Sequence, residues 1–182
     1  VTDAAVMMLN AKSGVEVGTE ILWRSISKFG KPTIFAVNHL DHESANFEKT
    51  IEEAKQHFGN KVTIMQYPVK VGPDFDAVID VIKMKMLKWG KDGGKPEELP
   101  IPDSEKDKAD ELFNELVEMA AENDEELMEI FFEKETLSEE EMQRGIKLGV
   151  KNGGMFPVFC LSAKKNIGVT RLMDFICNVA PS

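Results

Sequence analysis

The sequence predicts an α/β domain built on a parallel sheet and interrupted by an α+β insertion. Two observations predict the sheet, namely apolar runs of strand length and the amphipathic helical segments that alternate with them. A third predicts the insertion, because the alternation stops between about residues 68 and 154, where strands with one polar face precede several helices. A chain of 182 residues is long enough for one domain of this kind.

The first third of the chain is predicted to form strand, helix, strand, helix, strand. Residues 4–10, 32–37 and 62–66 are apolar runs, typical of parallel strands that are covered on both faces. Thr19 is expected to cap the first helix, and Ser44 to begin the second. The first helix is expected to bury one apolar stripe: Ile21, Leu22, Ile26 and Phe29.

The insertion is predicted to begin with strands and to continue as helices. Residues 75–89 alternate between apolar and polar side chains, and residues 90–102 are a polar connection rich in Gly and Pro. Ser138 and Glu141 have the spacing of a capping box. Residues 157–161 return to a buried strand, which a final helix follows.

Charge and length exclude several classes of protein. No apolar run approaches the ~20 residues that a membrane helix needs. The net charge is −10, and residues 97–141 alone hold 19 acidic residues against three lysines. Like charges repel, so this stretch does not suit RNA phosphates. It is either a solvated face or a docking surface for a basic protein patch.

The cysteine and histidine residues predict neither a disulfide framework nor a metal site. Cys160 and Cys177 are both expected to be buried free thiols in a reducing compartment. His39, Asp41 and His42 share one short loop, which is a weak case for zinc, and no metal site is predicted.

Two short polar motifs follow directly after predicted strands. Asn38, His39 and Asp41 follow the strand at 32–37, and a Ser-Ala-Lys triplet follows the strand at 157–161. Open parallel sheets bind their ligands beyond the carboxyl ends of the strands. Both motifs are therefore candidates for one binding site, although an Asn-x-x-Asp motif alone also fits a plain turn.

The chemistry of these residues suits guanine. The carboxylate of Asp41 can accept from the ring N1–H and from the exocyclic amine together, a donor pair that adenine lacks. Asn38 offers both a donor and an acceptor, which suits it to tie the base-binding loop together and to reach the ring. The backbone N–H of Ala163 can donate to the guanine carbonyl, because a small side chain lets the base approach closely.

Over its whole length the sequence resembles elongation factor G. The order and spacing of five stretches carry the resemblance: DAAVMMLNAKSGVEVGTEILWR, KPTIFAVNHLDHESANFEKTIE, AVIDVIKMKMLKW, AENDEELMEIFFEKETLSEEE and PVFCLSAKKNIGVTRLMDFICNVAPS. Trp89 and the insertion before the Ser-Ala-Lys triplet resemble this family more than other translational GTPases.

The resemblance implies a fold and a division of the chain. It implies a partial sheet of the P-loop NTPase kind, with residues 1–62 as the guanine-reading part of the G domain. Residues 63–154 would be the inserted α+β subdomain, and residues 155–182 would return to the core.

The resemblance also implies a site and a biological role. Asn38 and Asp41 would contact the guanine of GTP or GDP, and Ser162 and Ala163 would add a backbone contact. The parent would be a cytoplasmic GTPase that moves tRNA and mRNA on the ribosome. Its insertion would touch the ribosomal stalk protein, and no contact with a membrane or with DNA is expected.

Two residues depart from the family pattern. His39 stands where the family has the lysine of Asn-Lys-x-Asp, and imidazole is shorter and mostly neutral at pH 7. Weaker guanine nucleotide binding is the resulting hypothesis. Lys164 stands where the family often has an apolar residue, and its aliphatic stem is expected to cover the base instead.

The phosphate-binding motifs are missing from these residues. The sequence contains neither G-x-x-x-x-G-K-[ST] nor D-x-x-G. Since a strand pattern opens the chain at once, we expect a piece of a longer protein, with Mg²⁺ bound only in that parent. No catalytic residue is assigned, and no GTP hydrolysis by the 182 residues is expected.

Three alternatives stay open from the sequence. In the first, which His39 favours, the parent is a paralogue with a weakened nucleotide site that acts mainly as a ribosome-binding factor. In the second, the parent is a GTPase of the ribosome-protection type. In the third, the chain is a stand-alone module that docks a stalk protein.

Overall fold

A computed structural model describes residues 2–180 as a parallel sheet, a separate antiparallel sheet and the helices around them. In chain order the elements are β1 (Ala5–Asn10), α1 (Val17–Lys28), β2 (Thr33–Asn38), α2 (Phe47–Phe58), β3 (Val62–Ile64), β4 (Gln66–Pro68), β5 (Ala77–Asp80), β6 (Lys85–Lys88), β7 (Glu97–Leu99), a 3-10 turn (Asp103–Glu105), α3 (Lys106–Ala121), α4 (Glu125–Lys134), α5 (Glu139–Asn152), β8 (Phe156–Cys160) and α6 (Val169–Val179). Among these helices, none is long and apolar enough to cross a membrane.

The two sheets confirm the mixed α/β class. The parallel sheet has the order β1-β2-β8-β3, and the antiparallel sheet has the order β4-β5-β6-β7. The chain leaves the parallel sheet after β3 and returns to it at β8, after the antiparallel sheet and helices α3 to α5. The prediction for residues 90–102 was wrong in one respect, since this polar connection contains strand β7, which pairs with β6.

One continuous stretch of chain passes from the first sheet to the second at Met65. Its N–H donates to the carbonyl of Val158 in β8 at 3.1 Å, and its carbonyl accepts from the N–H of Val81 at 2.9 Å. Met65 is fully buried between these partners. The predicted boundary between residues 62 and 63 falls inside β3, and the three-part division of the chain stays a prediction.

The buried pattern predicted for β1 and α1 was wrong on one face of each element. In β1, Val6 is 43% exposed and Met8 is 47% exposed, whereas Met7 and Leu9 are buried, so only one face of this edge strand is covered. In α1, the helix packs through Trp23 and Ile26 against the core. The rest of the predicted stripe is exposed: Ile21, Leu22 and Phe29.

Of the three predicted helix starts, one is confirmed and two are wrong. The capping box of Ser138 and Glu141 is confirmed, with both reciprocal hydrogen bonds present. Ser44 does not begin α2, because Asn46 accepts from the N–H of Lys49 at 3.0 Å and serves as its cap. Thr19 does not cap α1, which begins two residues earlier at Val17.

A buried ion pair joins the antiparallel sheet to α6. The Oδ2 of Asp80 accepts from Nε of Arg171 at 2.8 Å and from Nε2 of Gln66 at 3.0 Å. Its Oδ1 accepts from the N–H of Lys83 at 3.0 Å. Asp80 is fully buried, so its charge depends on these partners rather than on water.

The two thiols differ in a way that a reagent can detect. Cys160 is buried, and burial raises the pKa of its thiol well above the ordinary value. Cys177 is exposed, contrary to the prediction from its apolar neighbours. We expect one thiol of the folded chain to react with a colorimetric disulfide reagent at pH 8, and two in denaturant. Cys177→Ser should remove the fast reaction, and a persistent fast reaction in this variant would contradict the burial of Cys160.

Candidate functional site

The two predicted motifs lie side by side because their strands are neighbours. Strands β2 and β8 are parallel and paired, with Val37 opposite Cys160. The N–H of Leu161 donates to the carbonyl of Val37 at 2.8 Å, and the carbonyl of Leu161 accepts from the N–H of Leu40 at 3.4 Å. The loops after both strands therefore leave the carboxyl edge of the sheet together, as predicted for ligand binding at such an edge.

A side-chain bond ties the two loops to each other. The Oδ1 of Asn38 accepts from the backbone N–H of Ala163 at 3.0 Å, across 125 positions of sequence. This is the N–H that the sequence predicted would donate to a base carbonyl. A base that binds here has to share or replace Asn38 on that donor, while the amide nitrogen of Asn38 keeps its two hydrogens for other acceptors.

The second loop is a closed turn that Ser162 organises. Ser162 and Ile167 exchange backbone hydrogen bonds at 3.1 and 3.0 Å. The Oγ of Ser162 accepts from the N–H of Lys165 at 3.3 Å. Ser162 is fully buried, so its side chain supports the turn. Ala163 and Lys164 are exposed on the same turn and present its backbone and a long side chain to solvent.

The first loop contains a strained residue beside an unpartnered carboxylate. His39 is exposed and has φ +63°, a conformation that histidine adopts more readily than most side chains but still at a cost. A hydrogen bond of 3.0 Å from the N–H of His42 to the carbonyl of His39 closes this turn. Asp41 is half-buried, and its carboxylate has no hydrogen bond or ion pair within residues 2–180.

Both loops also rest on the segment between β4 and β7, which the sequence did not indicate. The N–H of Gly72 donates to the carbonyl of Leu40 at 2.7 Å. The N–H of Gly94 donates to the carbonyl of Asn166 at 3.3 Å, and Nζ of Lys165 donates to the carbonyl of Pro73. The available sequence signal was the glycines themselves, because glycine is the residue that turns with positive φ require, and all three have positive φ here: Gly72, Gly93 and Gly94.

The described residues hold no group of three or more His, Cys, Asp or Glu side chains that could bind a metal ion. Of the trio weighed from sequence, His42 is engaged locally, with its Nδ1 accepting from the N–H of Ser44 at 3.1 Å.

The open parallel sheet, with polar loops at its carboxyl edge, defines a class of α/β proteins that bind ligands at the strand ends. The family model described as the elongation factor Tu GTP binding domain matches residues 1–182, and the chain belongs to this family.

Two further comparisons agree with this family. Elongation factor G of Mycoplasma pneumoniae is 38% identical over 185 residues, which cover all of this chain and 27% of that protein. A crystal structure of a protein from Thermus thermophilus superposes with a TM-score of 0.89 and 28% identity, covering 99% of this chain and 27% of that one. The chain therefore spans about a quarter of the length of the relatives it matches.

Proposed function

We propose that this chain is the guanine-reading part of a GTPase of the elongation factor G type. The observation that carries the proposal is the 3.0 Å bond from Ala163 to Asn38, which joins both predicted loops beside the free carboxylate of Asp41. Similarity to elongation factor G over the whole chain supports the same conclusion.

The residues present fit a guanine base. The carboxylate of Asp41 supplies two acceptors for the N1–H and the exocyclic amine, and no described side chain competes for them. Asn38 orients the second loop and keeps amide hydrogens for a ring nitrogen. Ala163, without a bulky side chain, lets the base carbonyl reach its N–H. The stem of Lys164 covers one face of the base.

The nucleotide is GTP or GDP, and hydrolysis of GTP supplies the free energy for the work of the longer protein. The 182 residues contain no G-x-x-x-x-G-K-[ST] loop, so we expect no hydrolysis by them alone. Mg²⁺ belongs with the phosphates in the longer protein.

The proposed partner is the ribosome, on which the longer protein moves tRNA and mRNA in the cytoplasm. The proposed contact with the ribosomal stalk protein is made by the insertion, residues 63–154. The acidic stretch at 97–141 supports a basic patch as the complementary surface.

The test is a calorimetric titration of the full-length protein with GDP and, as its control, with ADP. Selective binding of GDP at micromolar concentration is expected if the two loops read guanine. Equal affinities for GDP and ADP, or no binding of either, would refute guanine reading by this site.

The second candidate function is that of a ribosome-binding factor with a weakened nucleotide site. The exposed His39 at φ +63° favours it, because a short imidazole replaces the long stem and charge of the family lysine. This candidate predicts a measurable gain from restoring the lysine.

We expect His39→Lys to tighten GDP binding by about fivefold to tenfold, which corresponds to about 1 kcal/mol of added contact. His42→Lys, three positions along the same loop, is the matched control and should leave the Kd unchanged. An unchanged Kd for GDP in His39→Lys would end the idea that His39 weakens the site.

A further inference from the structure

The loop that follows β6 packs directly on the turn that contains Ala163. Gly93 has φ +66°, and a Cβ built on it would overlap the carbonyl oxygen of Lys165 and lie 2.8 Å from that of Asn166. Its neighbour Gly94 donates its N–H to the carbonyl of Asn166 at 3.3 Å. The backbones of residues 90–94 and 162–167 are therefore in contact with no room for a side chain between them.

The buried side chain of Trp89 fixes the position of the 90–94 loop. The indole of Trp89 is 4% exposed, and its Nε1–H donates to the carbonyl of Gly94 at 3.0 Å. The N–H of Gly93 donates to the carbonyl of Gly90 at 3.1 Å, which closes the loop as a turn. The 90–94 loop is thus anchored on a buried side chain that directly follows β6.

A second loop of the same segment holds the turn that contains Asp41. Gly72 has φ +95° and donates its N–H to the carbonyl of Leu40 at 2.7 Å. The neighbouring carbonyl of Pro73 accepts from Nζ of Lys165, on the other base-reading turn. Loops 69–76 and 90–94 together touch both turns through backbone groups.

We infer that loops 69–76 and 90–94 form a clamp that positions both base-reading turns, with Gly93 as its tightest contact and Trp89 as its anchor. The inference rests on the proposed reading of guanine. In this arrangement the insertion sets base selectivity, although none of its residues needs to touch the nucleotide.

The physical reason is that base reading tolerates little displacement. The donor at Ala163 and the acceptors at Asp41 must meet fixed positions on one rigid ring, and a hydrogen bond weakens steeply once its length or angle leaves the normal range. A side chain at Gly93 meets the 162–167 turn and not the turn that contains Asp41, so it shifts the donor at Ala163 relative to the acceptors at Asp41. The expected damage is therefore to base recognition and not to the phosphates.

Two adjacent glycines provide a matched pair of variants for the test. Gly93→Ala and Gly94→Ala both place a Cβ at positive φ, but only the first meets the base-reading turn, since nothing lies within 4 Å of a Cβ on Gly94. In the full-length protein, the Kd values of GDP and ADP are measured by calorimetry for both variants, together with their melting temperatures.

We expect Gly93→Ala to lower the ratio of the ADP Kd to the GDP Kd by about tenfold or more, which corresponds to the loss of one hydrogen bond to the base, and Gly94→Ala to lower it by less than about twofold. A variant that is merely less stable loses affinity for both nucleotides equally, so its ratio stays constant. The clamp is overturned if Gly93→Ala has the same Kd ratio as the unmodified protein. It is also overturned if the two glycine variants lower that ratio by the same factor.

Trp89→Phe keeps the test decisive if Gly93→Ala does not fold. It retains a buried ring and removes the donor to Gly94, so we expect a smaller fall in the ratio, about threefold. An unchanged ratio in this variant counts against the clamp. If the parent itself does not prefer GDP, the proposed function fails, which is distinguishable from failure of the clamp.

Discussion

Replacing Asp41 with asparagine is expected to exchange guanine selectivity for xanthine selectivity. The carboxylate offers two acceptors to the two donors of guanine, whereas the amide of asparagine offers one acceptor and one donor. Hydrogen bonds to a charged group contribute about 1.5–3 kcal/mol each, so the Kd for GDP should rise by about a hundredfold or more. Xanthine carries a carbonyl where guanine carries the amine, so its diphosphate should bind the variant better than GDP does.

The measurement is competition of GDP and xanthosine diphosphate for Asp41→Asn and for the parent. Glu43→Gln, an exposed carboxylate two residues along the same loop, is the control and should change neither affinity. A Kd for GDP that stays within about twofold of the parent in Asp41→Asn would mean that Asp41 does not touch the base.

Replacing Arg171 with methionine is expected to cause a large loss of stability. Asp80 is fully buried, and Arg171, with 14% of its side chain exposed, is its charged partner at 2.8 Å. Breaking a buried pair leaves an uncompensated charge and typically costs about 3–5 kcal/mol. The free energy of unfolding should fall by that amount in a urea titration.

Arg144→Met supplies the comparison for a surface pair. Arg144 has 47% of its side chain exposed and bonds Asp124 and Glu126 at 2.9 Å each. Water screens exposed pairs such as these, which contribute little to stability, so this variant should be nearly as stable as the unmodified protein. Equal losses in the two arginine variants would show that the burial of Asp80 is not what makes its pair important.

The sequence predicted the elements well where hydrophobic pattern and capping chemistry agreed. The Ser138 capping box and the strand at 157–161 are examples, since each has a local cause. The same pattern was misleading for Val6 and Ile21, because periodicity shows that a face is apolar and not that something covers it. Cys177 was misplaced for the same reason.

The candidate site was predictable in its position and not in its internal bonds. Two polar motifs after apolar strands pointed to one edge of the sheet, and the pairing of β2 with β8 brings them together. The sequence predicted that Asn38 ties the base-binding loop together, but not that its partner is the N–H of Ala163, because the sequence does not say which donor lies nearest to a side-chain acceptor. The support from Gly72 and Gly93 depends on contacts between distant segments.

Met65 links the unfolding of the two sheets. Its N–H donates to Val158 in the parallel sheet, and its carbonyl accepts from Val81, which directly follows β5 of the antiparallel sheet. Separation of the two sheets therefore breaks at least one of these hydrogen bonds. Amide hydrogens of β3 and β5 should therefore exchange with deuterium through the same opening event and with the same free energy. Excision of residues 63–154 would likewise remove most of β3 and turn β8 into an edge strand. We therefore expect the second sheet to unfold together with the first and not as a separate unit.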